Sequence, residues 1–140
     1  TTFDNREASE FLIDKEEQAA RREKMTAVCT SCHSTLWTRG HFNRLDATIV
    51  ETNEMTLKAT KLVEQAWKHG MVSNENPFDE PFEYDWVRCW LYYANSIRYG
   101  AAMAGPDYST FKNGWADLTD KVSNMKQKLK KSTAATSNSK

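Results

Sequence analysis

Two long stretches of this sequence contain neither glycine nor proline, and they constrain the fold more than any other feature. The first runs from Asn5 to Val28, and the second runs from Asn43 to His69 and is followed directly by Gly70. Strong helix formers fill both stretches, and a glycine just after the last helical residue is a common terminator. The sequence therefore predicts two long helices.

Apolar and small side chains recur in the second stretch at alternating spacings of four and three residues. These positions are Leu45, Ile49, Thr52, Thr56, Ala59, Val63 and Ala66. Such a heptad seam faces another helix, and small or β-branched residues at its centre favour close packing. The same spacing recurs in a third segment (Trp86, Trp90, Tyr93, Ile97) and a fourth (Leu118, Val122, Met125, Leu129). The predicted fold is all-α, with long helices packed as a bundle at shallow angles.

The breaks between these helices divide the chain into three segments within one domain. Residues 1–42 hold the first helix and residues 43–131 the helical bundle. Within the bundle, the loop signals of residues 73–81 and the turn Gly105-Pro106-Asp107 separate the helices. Residues 132–140 consist of Ser, Thr, Ala, Asn and Lys, and we predict that this tail is disordered.

Charge and hydropathy exclude several classes of partner. Nineteen basic residues balance nineteen acidic ones among 140, so the net charge favours neither nucleic acid nor an anionic membrane surface. No apolar run approaches the roughly 20 residues that a membrane-spanning helix needs. No charged-then-apolar leader begins at Thr1, and we expect that any export signal has been removed.

The cysteines carry the first functional inference. Three cysteines give no even disulfide framework, and two of them lie in Cys29-Thr-Ser-Cys32-His33. This Cys-x-x-Cys-His spacing is the attachment motif for c-type haem. Each thiol can add to one vinyl group of the porphyrin, and the adjacent imidazole is then an axial ligand of the iron. We therefore predict one haem c, with its iron, on the N-terminal helix and turn.

Two other uses of a Cys-x-x-Cys pair fit less well. Redox dithiols lie in a strand–helix context that this all-helical pattern lacks. A structural zinc site needs two further thiols or imidazoles at matching spacing, and the chain has no second cysteine pair. The remaining cysteine, Cys89, lies within the third helix and is interpreted as a small buried hydrophobe.

The other two histidines are candidate ligands with ordinary alternatives. His41 lies eight residues after His33, too close to reach over the same porphyrin without a sharp reversal. It could ligate a second, neighbouring haem, since a neutral imidazole is a common sixth ligand, or it could be a hydrogen-bonded or surface histidine. His69 lies beside a helix C-terminus, where a cation is favoured, and the same alternatives stay open there.

Five segments of the chain carry a resemblance to a known family: 29–37 (CTSCHSTLW), 40–42 (GHF), 76–80 (NPFDE), 90–99 (WLYYANSIRY) and 103–108 (MAGPDY). Together they resemble the octahaem hydroxylamine oxidoreductases, which include the hydroxylamine- and hydrazine-oxidising enzymes of anammox bacteria. The resemblance covers about residues 23–125. In that family the matching region is the C-terminal part of a longer chain, with the last haem motif and a helical bundle.

The resemblance implies a catalytic role for Tyr108. A tyrosine at this Gly-Pro-Asp-Tyr position is bound covalently, in that family, to the modified catalytic haem of a neighbouring subunit in a homotrimer. Small nitrogen compounds are oxidised there, and the electrons leave through bis-histidine haems to a redox partner cytochrome. The haem on Cys29 and Cys32 would then be an electron carrier. The alternative interpretation of Tyr108 is a turn residue packed on the fourth helix.

This sequence departs from the family in one large respect. The family carries eight haem motifs in each chain and this sequence shows one, so we expect a fragment of a longer chain or a separate subunit. The alternatives are a stand-alone monohaem electron-transfer cytochrome and an oligomerisation bundle with an incidental haem. Haem attachment to this motif takes place outside the cytoplasm, which predicts the periplasm or, in an anammox organism, the lumen of its energy-conserving compartment.

Overall fold

The computed structural model describes residues 13–76, 78–103 and 111–137, and within these ranges the chain is all-α, as predicted, with no strand. The α-helices are α1 (Lys15–Thr30), α2 (Thr35–Lys68), α3 (Pro81–Val87), α4 (Ala94–Ala102) and α5 (Asp117–Ser137). Two π-helical segments, π1 (Arg88–Tyr93) and π2 (Phe111–Ala116), precede α4 and α5. The chain divides into two compact units, with the boundary between Ala47 and Thr48.

The first unit joins α1 to the beginning of α2. Asp14 caps α1, because its side chain accepts a hydrogen bond of 2.7 Å from the backbone N–H of Glu17. Arg22 of α1 donates to both carboxylate oxygens of Asp46 (2.7 and 3.2 Å), and its guanidinium lies 4.5 Å from the centre of the Phe42 ring. No residue of α1 is buried. Polar and cation–π contacts therefore hold this helix against α2, with little apolar burial.

Helix α2 begins earlier than predicted, at Thr35 instead of Asn43. Ser34 caps it, since its Oγ accepts from the N–H of Trp37 (3.2 Å) and its carbonyl accepts from the N–H of Thr38 (3.0 Å). The prediction began the helix after Gly40, but one internal glycine costs only about 1 kcal/mol relative to alanine. The predicted division between residues 42 and 43 consequently falls inside a continuous helix.

The end of α2 and the centre of its seam agree with the prediction. Gly70 has φ of 66°, a left-handed conformation that ends the helix, and the N–H of Met71 bonds to the carbonyl of Ala66 at 2.9 Å. Of the predicted seam residues in the second unit, Ile49 is half-buried and the others are buried: Thr52, Thr56, Ala59, Val63 and Ala66. The hydroxyls of Thr52 and Thr56 bond to carbonyls one turn earlier, so burial leaves neither without a partner.

Aromatic residues and α5 complete the core of the second unit. Trp86 is 4% exposed, and its Nε1 donates to the hydroxyl of Thr60 (3.0 Å). The centres of its ring and of the Trp67 ring lie 5.9 Å apart, with the rings nearly perpendicular. On α5 the predicted face is buried, and it comprises Leu118, Val122, Met125 and Leu129. The bundle core is therefore formed by α2, the region from α3 to α4, and α5.

The third helical region differs from the predicted face. The prediction placed Trp90 and Tyr93 on the buried seam, but both are only half-buried, whereas Cys89 and Ala94 are fully buried. The buried positions step by five residues there, because π1 holds one residue more in its turn than an α-helix does. A heptad pattern assumes an uninterrupted α-helix, so it was wrong for Trp90 and Tyr93, while Trp86 and Ile97 are buried as predicted.

The predicted disorder of residues 132–140 is wrong for its first part. Helix α5 continues to Ser137, and residues 138–140 lie outside the described ranges. Two consecutive alanines, Ala134 and Ala135, favour the helix, and the hydroxyl of Thr133 bonds to the carbonyl of Leu129 at 3.2 Å. No helix in the described ranges is both long and apolar enough to cross a membrane.

The buried carboxylate of Asp85 joins α3 to α5. Asp85 is 6% exposed and accepts from the amino groups of Lys121 (3.1 Å) and Lys128 (2.8 Å). Burial by itself raises the pKa of Asp85. The hydrogen bonds from the two lysines, together with their charges, outweigh that effect, so the net pKa lies below its ordinary value of 3.8.

This arrangement predicts a pH-dependent contribution to stability. Because the folded-state pKa of Asp85 is lowered, its contribution is complete above about pH 4 and is lost as the pH falls through the folded value. Asp85→Asn should cost on the order of 1–2 kcal/mol at pH 7, since both lysines are partly exposed. Urea unfolding followed by circular dichroism at pH 7 and pH 3 measures this. A difference between variant and wild type that did not shrink at pH 3 would contradict it.

Candidate functional site

The Cys-x-x-Cys-His motif forms the turn between α1 and α2. Cys29 lies in the last turn of α1, which ends at Thr30. The backbone N–H groups of Cys32 (3.3 Å) and His33 (2.9 Å) both bond to the carbonyl of Cys29. The hydroxyl of Ser31 bonds to the carbonyl of Val28 at 2.7 Å, which fixes the turn further. Local backbone geometry therefore brings the two cysteines and the histidine together.

The reactive groups of this turn are accessible. Both thiols are free, with Cys29 partly exposed and Cys32 exposed, and His33 is exposed as well. A haem c needs two thiols and one imidazole that can reach the same porphyrin, and accessible groups on one turn meet that requirement. The donor set therefore fits a haem c.

Apolar side chains surround the motif without being buried. They are Met25 (54% exposed), Val28 (66%), Leu36 (72%) and Trp37 (38%). Exposed apolar side chains that flank one motif in the sequence are available to cover an apolar group bound there. A porphyrin is largely apolar, and these side chains can pack against one held at Cys29 and Cys32. This is the second respect in which the residues fit a haem.

Three aromatic rings follow one another from the attachment turn, at His33, into the first turns of α2. The ring centres of His33 and Trp37 lie 3.9 Å apart with an interplanar angle of 17°, and those of Trp37 and His41 lie 5.6 Å apart at 9°. His41 also contacts Phe42, at 5.2 Å, and is 8% exposed. We call His33, Trp37 and His41 the ring stack. Sequence reasoning missed it, although spacings of four residues place side chains on one helical face.

A second group of metal-ligand residues converges elsewhere. Within the described ranges, one cluster brings three metal-ligand side chains close together, and it consists of Asp79, Glu80 and Glu83. Glu83 is fully buried and accepts hydrogen bonds from Trp67 Nε1 (2.6 Å) and from the backbone N–H groups of Asp79 (3.3 Å) and Glu80 (3.2 Å). Glu80 accepts from the N–H of Ser73 at 2.8 Å. These bonds give the acidic residues a structural role at the start of α3.

The remaining candidates have different outcomes. Cys89 is a buried free thiol, as predicted, and burial, followed by the negative charge of Asp85, raises its pKa to about 12, although Lys121 acts in the opposite direction. It is therefore an inert residue of the core. His69 is exposed at the end of α2. Tyr108 lies outside the described residues, as does the turn that precedes it.

Comparison with known proteins identifies the family. Residues 3–77, more than half of the chain, match the family described as "Seven times multi-haem cytochrome CxxCH". The chain belongs to this family. It is a haem-binding, electron-transferring region of a multihaem c-type cytochrome, and such cytochromes are typically extracytoplasmic.

A solved structure agrees with this assignment. The chain is similar to a protein titled "Hypothetical multiheme protein", with 44% sequence identity and a TM-score of 0.83. The similarity covers 90% of this chain and 25% of that protein, so the cytochrome region spans about a quarter of its relative's length. A search of curated proteins found no significant match.

Proposed function

We propose that Cys29 and Cys32 hold one haem c through thioether bonds and that His33 is an axial ligand of its iron. The observation that carries this proposal is the turn itself, which brings two free thiols and an exposed imidazole together beside exposed apolar side chains. When bound, the haem supplies a one-electron redox centre. The chain contributes the attachment points, the ligand and an apolar surface that excludes water from part of the macrocycle.

His41 is proposed as a ligand of a neighbouring haem. Its ring is held by contacts with Trp37 and Phe42, and no hydrogen bond joins it to another residue of the described ranges. A buried imidazole without such a bond keeps its nitrogen lone pair available for a metal. The membership of a multihaem family supports a second haem nearby, and it favours this interpretation over a stand-alone monohaem cytochrome.

For the complete protein we propose oxidation of hydroxylamine or hydrazine. The support is the sequence resemblance to octahaem hydroxylamine oxidoreductases, above all the Gly105-Pro106-Asp107-Tyr108 segment and the segment from Trp90 to Tyr99. In this proposal the subunits form a homotrimer, Tyr108 is linked to the modified catalytic haem of a neighbour, and electrons pass to a partner cytochrome. The proposed compartment is the periplasm or the lumen of an anammox organism's internal compartment.

The haem attachment is tested by mass spectrometry of the full-length protein. We expect the proteolytic peptide that contains Cys29 and Cys32 to carry one haem, and the peptide that contains Cys89 to carry a free thiol. A Cys29→Ser, Cys32→Ser double variant should lose one haem per chain in a pyridine haemochrome assay, because no thiol is left to form a thioether. Cys89→Ser is the matched control and should keep the full haem content.

Two results would contradict the attachment. One is haem that leaves the denatured chain on acid–acetone extraction and is no longer bound to this peptide. The other is an unchanged haem content in the double variant. The proposed activity is tested separately, by adding hydroxylamine or hydrazine to the oxidised full-length protein and following haem reduction in the visible spectrum. Failure of both compounds to reduce the haems would contradict that part of the proposal while leaving the attachment intact.

A further inference from the structure

The imidazole of His33 is oriented by a ring contact, and no protein group of the described residues makes a hydrogen bond with it. A metal-bound histidine normally donates its second ring N–H to a carboxylate, a backbone carbonyl or a water molecule, and this bond fixes the ring plane. The ring contact of His33 is Trp37, with the ring centres 3.9 Å apart and an interplanar angle of 17°.

Trp37 is itself well placed to hold another ring. It lies in the first turn of α2, where its backbone N–H bonds to the capping hydroxyl of Ser34 at 3.2 Å. One turn later the largely buried ring of His41 lies almost parallel to the indole, 5.6 Å from it and at 9°. Trp37 is thus the middle ring of the stack, fixed through the helix backbone and supported by its second neighbour.

We propose that Trp37 is a positioning residue for the haem ligand: its indole fixes the plane of the His33 imidazole by stacking, where other sites use a hydrogen bond. This inference rests on the proposed ligation of the iron by His33. The orientation of an axial imidazole plane determines how the iron d orbitals split, so electron paramagnetic resonance of the oxidised haem reports it. Contacts of this outer kind also tune the reduction potential of a haem.

The experiment uses the full-length multihaem protein and difference spectra. Subtracting the wild-type resonance spectrum from that of a variant cancels every unaffected haem. We expect Trp37→Leu to shift the highest g value of one low-spin haem and the midpoint potential of one haem, with the haem content unchanged. Trp37→Phe keeps an aromatic face and should give the same spectrum as the wild type. Val50→Ala, at a position further along α2 that is 56% exposed, is the matched control and should give a flat difference spectrum.

Three outcomes would overturn the proposal. The first is a flat difference spectrum for Trp37→Leu, and the second is a shift in Trp37→Phe as large as that in Trp37→Leu. The third is failure of both Trp37→Leu and Trp37→Met to fold while Trp37→Phe folds, because Trp37 would then be a packing residue. Failure of the proposed ligation of the iron by His33 would give a different result. In that case the wild-type peptide carries no haem, or His33→Ala leaves the resonance spectrum unchanged.

Discussion

Replacing Tyr108 by phenylalanine in the full-length protein is expected to abolish the proposed covalent link between neighbouring subunits while leaving the fold and the proposed Cys29/Cys32 haem intact. The change removes one hydroxyl and keeps the ring. In the proposed arrangement, bonds from the tyrosine to the porphyrin interrupt ring conjugation and distort the macrocycle, which is one way a protein tunes haem iron. Without them, the absorption of the catalytic haem should move toward that of an ordinary five-coordinate haem.

Activity is expected to fall with the link. Oxidation of hydroxylamine or hydrazine should decrease by roughly tenfold or more, a change of about 1.4 kcal/mol in the activation barrier. Denaturing gel electrophoresis with haem staining, visible spectra and steady-state rates measure the three effects. Tyr99→Phe removes the same hydroxyl from a tyrosine that is 73% exposed and serves as the matched control. A Tyr108→Phe protein that kept both the link and its activity would show that another residue forms the bridge.

Replacing Glu83 by alanine is expected to destabilise the second unit more than any surface change. The carboxyl group accepts from the indole of Trp67 and from the N–H groups of Asp79 and Glu80, and the residue is fully buried. Removing it leaves three donors without their acceptor and opens a cavity. Each unsatisfied buried donor costs about 1–3 kcal/mol, and since none of the three donor residues is fully buried, we expect a total on the order of 3 kcal/mol.

Hydrogen exchange of the α3 amides in the full-length protein, followed by mass spectrometry, measures this loss locally. Glu83→Gln keeps one acceptor oxygen for the indole of Trp67 and should cost on the order of 1 kcal/mol. Glu64→Ala, at an exposed position of α2, removes the same atoms from solvent and should change protection by less than about 0.5 kcal/mol. Equal protection in Glu83→Ala and Glu64→Ala would show that the buried carboxyl group contributes nothing.

The sequence predicts the fold where local signals and periodicity agree. The seam around Ala59 and Val63 and the terminating Gly70 could be predicted because an uninterrupted α-helix relates spacing to face. The register beyond Cys89 could not, since nothing in the residue pattern announces the extra residue of π1. Burial of Glu83 was equally unpredictable, because an acidic residue early in a helix ordinarily faces solvent.

The candidate site shows the same division. The attachment turn can be predicted from sequence because all its chemistry lies within five consecutive residues, from Cys29 to His33. The ring stack depends on the helix continuing through Gly40, and a prediction that began α2 at Asn43 separated Trp37 and His41 from their common face. Ser34 is a residue type that commonly caps helices, and a helix predicted to begin after it would have placed Trp37 and His41 on one face.

The extra residue of π1 has a consequence for comparing this chain with its relatives. Each residue of an α-helix advances the chain by about 100° around the axis, so deleting one residue between Arg88 and Tyr93 would turn the bulge into regular α-helix. Because the bulge absorbs the extra residue, the side chains of α4 would then keep their present neighbours in space. Relatives one residue shorter in this segment should therefore be aligned with the gap inside π1. A gap placed in the flanking loops would pair residues that occupy different environments.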